Sequence, residues 1–171
     1  MIRYATTDDL PRIAEILVFG KRCTYRPIFK NDKESFNDIQ VVRTYQEFMS
    51  KPELIQNMLV YDDGIIKGTI SRKLTETLAS SNENLSAPIS VELTSFYVDP
   101  FFRGQGIGKA LISAFESEAR KIDAESIFLW VLSENHSARN FYEKNGYFPD
   151  GQTDVIPGTN VTDMRYCKKI R

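Results

Sequence analysis

The residues Asp99-Pro100-Phe101-Phe102-Arg103-Gly104-Gln105-Gly106-Ile107-Gly108-Lys109 set three glycines at alternate positions, directly ahead of an apolar-periodic segment. Glycine lets main-chain N–H groups come close to a ligand. A helix that starts near Gly106 adds unpaired N–H groups and the positive end of its dipole. Together these suit a phosphate group. Two familiar phosphate loops fail on spacing. A dinucleotide fingerprint, G-x-G-x-x-G, would need glycine at Lys109 if it began at Gly104, or at Leu111 if it began at Gly106. A Walker loop would need glycine at Arg103 and serine or threonine at Ala110. The spacing that does fit is R-x-x-G-x-G, read from Arg103 with the last glycine at Gly108.

The elements around the loop follow from periodicity and punctuation. Ile2 to Ala5 reads as a short strand, and Thr7-Asp8-Asp9 as the cap of a helix with Pro11 in its first turn. Leu10, Ile13, Ala14 and Leu17 give that helix one apolar face. Residues 21–50 are less regular, with a second helix suggested by Val41, Tyr45, Phe48 and Met49. Asn57 to Tyr61 and Ile65 to Leu74 form a hairpin about Asp62-Asp63-Gly64. The polar stretch Ala79 to Ser86 reads as a loop. Val91 to Val98 is a strand, Ile107 to Ile122 a helix, Ser126 to Leu132 a buried strand and Ser137 to Asn145 a helix that Gly146 stops. Tyr147-Phe148 and Val161 to Cys167 close the chain as a strand pair. This order predicts an α/β fold: a mixed, mostly antiparallel sheet of about seven strands with helices on both faces.

The glycine loop has a companion. Asn135-His136-Ser137-Ala138-Arg139-Asn140-Phe141-Tyr142-Glu143-Lys144-Asn145-Gly146-Tyr147 fits N-x-x-A-x-x-F-Y-x-x-x-G-[FY]. With both motifs in this order, the chain resembles the GNAT superfamily of N-acetyltransferases from about Asn57 to the C-terminus. The resemblance implies a single GNAT-like domain over residues 1–171 with acetyl-CoA as co-substrate. In that family the glycine loop binds the pyrophosphate of coenzyme A, which assigns Arg103, Gly104, Gln105, Gly106, Ile107, Gly108 and Lys109 to the cofactor. The strand before it, through Phe96, Tyr97 and Val98, pairs its main chain with the pantetheine arm. Asn135 either bonds the pantetheine or caps its helix, and Ala138 keeps that helix surface low.

Acyl transfer to an amine requires loss of a proton from the amine, stabilisation of the carbonyl oxygen as charge develops, and departure of the thiolate. An alkyl amine arrives protonated, since its pKa is about 10. Glu92, six residues before Val98, is the candidate base; otherwise it is an exposed strand carboxylate. The main-chain N–H of Phe96 is the candidate oxyanion donor. Tyr142 matches the family's catalytic tyrosine and is the candidate acid for the thiolate; otherwise it is a packed aromatic. The acceptor region brings in Tyr25, Phe29, Phe36, Tyr45 and Phe48, with Asp32, Glu34, Asp38, Asp150 and Asp154. Aromatics and carboxylates together suit a cationic amine, while a protein N-terminus or lysine stays open.

Bulk properties narrow the classes. The 171 residues carry a net charge of −1 and are 42% hydrophobic, as in an ordinary globular domain. No basic excess is available for nucleic acid, no apolar run is long enough to span a membrane, and no secretory leader opens the chain. Cys23 and Cys167 read as free thiols of a reducing compartment, hence a cytoplasmic location, and one histidine with two scattered cysteines makes no zinc site. The expected function is acetyl transfer from acetyl-CoA to a small amine, polyamine, amino acid or peptide, with no metal; a homodimer stays open. The alternative is a non-catalytic acyl-CoA-binding or regulatory module on the same fold.

Overall fold

A computed structural model describes residues 1–75 and 89–171. The polar stretch Ala79 to Ser86 lies outside the described residues. The strands are β1 (Ile2–Tyr4), β2 (Met58–Asp62), β3 (Ile66–Thr75), β4 (Ser90–Val98), β5 (Ser126–Leu132), β6 (Phe148–Val155) and β7 (Thr162–Lys169). The helices are α1 (Leu10–Phe29), α2 (Val41–Ser50), α3 (Glu53–Gln56), α4 (Ile107–Lys121) and α5 (His136–Lys144). The seven strands form one sheet in the order β1-β2-β3-β4-β5-β7-β6. Every pair is antiparallel except β4 with β5. The predicted mixed sheet is therefore present.

Each face of the sheet has its own core. Val91, Leu93, Ile127, Leu129 and Val131 point to the face covered by α4 and α5, where they meet Leu111, Phe115 and Tyr142. Met58, Val60 and Ile66 point to the other face and pack under Leu10, Ile13, Ile16 and Leu17 of α1. Alternation along β2 assigns Leu59 to the first core and its neighbours Met58 and Val60 to the second.

One irregularity in β4 shapes everything that follows. Ser95 pairs with Ser71 and Leu93 with Arg72, so Thr94 has no partner on β3 and forms a bulge. The Thr94 hydroxyl bonds back to the Ser71 main-chain carbonyl at 3.3 Å and lies 3.0 Å from the Ser71 hydroxyl. Beyond the bulge, Phe96 and Val98 continue on the α4 face while Tyr97 packs with α1. Parallel pairing of β4 with β5 runs only from Ser90–Ser126 to Leu93–Leu129. It stops beside the bulge. A bulge bends its strand and raises the local twist, and here the two strands separate from that point.

Helix α1 runs well past its predicted apolar stripe, through both Gly20 and Pro27. Pro27 lacks the N–H that would bond the carbonyl of Cys23, and the helix ends soon after, with Lys30 in the left-handed region at φ 54°. Gly20 persists inside the helix because a Cβ there would stand 2.6 Å from Cδ1 of the Tyr97 ring. In an open helix, alanine would be favoured over glycine by roughly 0.5–1 kcal/mol. Here Gly20→Ala is expected to destabilise instead, by about 1–3 kcal/mol, as overpacking does. Urea denaturation checks this, and a gain in midpoint would mean that the ring moves aside freely.

Candidate active site

The separated ends of β4 and β5 open a cavity of about 990 Å³ that runs from the glycine loop to the C-terminal half of α1. Its loop end is built first by Asp99, which is 3% exposed. One Asp99 carboxylate oxygen accepts from the Phe101 N–H at 2.9 Å, which turns the chain sharply into Pro100–Phe102. The other accepts from the Arg12 guanidinium of α1, and Arg12 also donates to the Ile66 carbonyl at 3.1 Å. The loop and α1 are thus tied to each other directly.

The three glycines have different reasons to be glycine. Gly104 and Gly106 have φ of 78° and 81°, a region costly for other residues, yet a Cβ on either would touch nothing. They set the path of the chain. Gly108 lies inside α4, where a Cβ would come within 3.3 Å of the Phe141 ring. It lets α5 approach. The first bond of α4 runs from the Ala110 N–H to the Gly106 carbonyl, so the N–H groups of Ile107, Gly108 and Lys109 have no acceptor inside the helix.

The residues singled out from sequence divide as follows. Arg103, Gly104, Gly106, Gly108 and Lys109 line the cavity at its loop end. Gln105 is exposed and does not line it, and the Ile107 side chain is buried in the α4 core, so only its main chain faces a ligand. Phe96, Tyr97 and Val98 line the β4 wall; Asn135, Ala138 and Tyr142 line the α5 wall. The Asn135 side chain accepts from the Ala138 N–H at 3.2 Å, so it caps α5. Glu92 is not in the cavity wall. It sits in the paired part of β4 opposite Phe128 and Lys73, on the sheet face away from α4.

Tyr142 is 8% exposed and packed among the rings of Phe96, Phe141, Tyr147 and Tyr166. Among the described residues its hydroxyl has no hydrogen-bond partner, although it borders the cavity. Burial raises its pKa, with a smaller contribution from Tyr25. A third tyrosine joins them: the Tyr25 and Tyr97 hydroxyls lie 3.1 Å apart, and burial with Tyr25 as neighbour raises Tyr97 as well.

The extended α1 supplies wall residues that sequence reading did not place there: Cys23, Thr24, Pro27 and Ile28 join Tyr25 and Phe29. Of the other aromatics and acids proposed for the acceptor, Phe48 is core and Phe36 lies beneath the Arg22 and Arg26 guanidiniums. Asp32, Asp38 and Asp150 are paired with Arg26, Arg43 and Arg165. Trp130, Glu134 and Asp163, which carry no motif, line the cavity from the β5 and β7 side. Trp130 lies within β5, Glu134 just past it and Asp163 near the start of β7, and none of them carried a signal in the sequence.

Among the described residues no helix is long and apolar enough to cross a membrane. The chain is 28% identical over 172 residues to an uncharacterized N-acetyltransferase of Methanocaldococcus jannaschii; the match covers 99% of the chain and 66% of the relative's length. Its fold is similar to that of the PaiA N-acetyltransferase of Thermoplasma acidophilum in complex with coenzyme A, at 20% identity and a TM-score of 0.70, covering 99% of this chain and 98% of that one. It is also similar to yncA of Salmonella typhimurium with acetyl-CoA, at 20% identity and a TM-score of 0.68, covering 100% and 94%. Residues 22–147 match the model of the acetyltransferase (GNAT) family, a span that includes both motifs and most of the cavity wall. The chain belongs to the GNAT family of acetyltransferases.

Proposed function

We propose that the chain transfers the acetyl group of acetyl-CoA to a primary amine that enters beside α1. The observation that carries this reading is the slot opened by the Thr94 bulge, with the unpaired N–H groups at the start of α4 at one end and the Tyr142 side chain in its wall. The N–H groups at the start of α4, with Arg103 and Lys109 beside them, would hold the pyrophosphate. The free edge of β4 beyond Leu93 would bond the pantetheine arm as a partner strand does. The thioester then reaches Phe96 and Tyr142.

In the reaction, the amine nitrogen forms a bond to the acetyl carbon and the carbon–sulfur bond breaks, its electron pair going to sulfur. The Phe96 N–H is the proposed donor to the carbonyl oxygen as charge gathers there. Glu92 stands on the face from which the acceptor approaches, outside the cavity wall, and is proposed to receive the amine proton through water. Tyr142 is proposed to protonate sulfur. A thiol has a pKa of about 8.5, below the ordinary value of a tyrosine at about 10, so the proton moves only as charge builds on sulfur, in concert with bond breaking.

Measuring coenzyme A release with a panel of amines, amino acids, polyamines and peptides tests this. The expected result is turnover with at least one amine class. Acetyl-CoA binding without turnover on any acceptor would favour the acyl-CoA-binding module instead.

A further inference from the structure

The C-terminal half of α1 brings a tyrosine to the cavity. Tyr25 lines the wall, and its hydroxyl lies 3.1 Å from that of Tyr97 on β4. The Tyr25 ring is braced one turn on by Phe29, edge to face, with centroids 5.8 Å apart. The Tyr97 ring is braced by the α1 core and by the close approach of Gly20. The two oxygens meet on the α1 side of the slot.

Neighbouring residues of β4 face opposite ways there. Phe96 turns to the α4 side, where it packs against Tyr142 with ring centroids 6.3 Å apart. Tyr97 turns to the α1 side. A thioester laid along this stretch of β4 has Tyr142 on one side of it and the Tyr25–Tyr97 pair on the other. Ser95 shares the α1 side with Tyr97 and borders the same cavity. Its hydroxyl oxygen is buried and has no partner among the described residues. Hydrogen-bonding capacity is thus left over on this side of the slot.

A tyrosine hydroxyl both donates and accepts. Whichever member of the pair donates, the Tyr25 oxygen can take one more hydrogen. When Tyr25 is the donor, its bond to Tyr97 makes that oxygen the better acceptor. The oxygen is also uncharged. A carboxylate in this place would favour the ammonium form, whereas the nitrogen must be neutral to attack. A neutral primary amine has a lone pair for the thioester carbon and a pair of N–H groups. One of these protons leaves once the carbon–nitrogen bond has formed; the other stays on nitrogen through to the amide. We infer that Tyr25, held by Tyr97, accepts a hydrogen bond from the N–H that stays, and so favours a primary over a secondary amine. A secondary amine has no such proton, since its only N–H is the one lost. Tyr25 touches the reacting nitrogen, and Tyr97 is a positioning residue. This rests on the acetyl-transfer reading above.

Steady-state coenzyme A release tests it with butylamine against N-methylbutylamine, glycinamide against sarcosinamide, and the most active primary amine of the panel against its N-methyl form. Tyr25→Phe keeps the ring and its contact with Phe29. It is expected to lower kcat/KM on the primary amine by about 3- to 10-fold, the scale of one net hydrogen bond, and to leave the secondary amine and the KM for acetyl-CoA within about two-fold. Tyr97→Phe leaves the Tyr25 oxygen in place without its anchor and is expected to lose less. The double variant should lose no more than Tyr25→Phe alone. Both single variants break the same bond, so thermal melts should show equal losses in Tm. Equal loss on both amines in Tyr25→Phe would reduce the pair to a tie between α1 and β4, overturning the inference with acetyl transfer left standing. Wild-type kcat/KM on the primary amine in Tyr25→Phe would do the same. Acetyl-CoA binding with no amine turned over at all would overturn both.

Discussion

Tyr142→Phe is expected to lower turnover by about 10²- to 10⁴-fold, the range for losing a positioned proton donor. Affinity for acetyl-CoA should stay within a few-fold, because the ring and its packing are retained. Stability should hold. The phenylalanine keeps the contacts with Phe96, Phe141, Tyr147 and Tyr166 and removes a hydroxyl that borders the cavity. Steady-state kinetics with a thermal melt checks both halves. Wild-type turnover in the variant would remove Tyr142 from the reaction. A large drop in melting temperature would show that the hydroxyl is structural.

Arg12→Ala is expected to cost about 3 kcal/mol of folding stability, toward the lower end for breaking a buried ion pair by removing one partner. Arg12 itself is partly exposed, which places the value there. Asp99 is not: without the guanidinium its carboxylate keeps only the Phe101 N–H as partner. The loss corresponds to roughly 6–12 °C in Tm for a chain of this size. It should also weaken coenzyme A binding, since the same carboxylate turns the chain into the glycine loop. Arg12→Met combined with Asp99→Asn should recover part of the stability, because no unpaired charge remains. If the double variant is no more stable than Arg12→Ala, the pair is not what holds the loop.

These two residues differ in how visible they were in the sequence. Tyr142 sits in a motif whose spacing is local, and so do the glycines of the loop, whose positive φ is a property of single residues. The strand and helix order was legible for the same reason, since periods of two and 3.6 are local. Contacts between distant residues were not. Glycine and proline usually stop a helix, so α1 looked finished near Gly20. It continues because the Tyr97 ring, 77 residues away in the chain, occupies the space where a Cβ would be. Arg12 carried no signal because its partner, Asp99, is 87 residues away in the chain. Asp163 carried no signal either, since only the register of β6 and β7 sets it against Asp154. Glu92 was chosen by its distance from Val98. The structure leaves it on the sheet face away from α4 and outside the cavity wall, because the strands have not yet parted at that point.

Thr94 has a consequence for how this protein can be taken apart. It is a surplus residue in an otherwise alternating strand, so deleting it alone would leave every other side chain of β4 on its present side. Both cores would keep their members. What would go is the bend, and β4 could then zip onto β5 past Leu93 and fill the slot with main-chain bonds. Loss of one codon would thus yield a chain that folds and has nowhere to put its donor. In most enzymes of this size the scaffold and the cavity are hard to separate by mutation; here the division falls at one threonine.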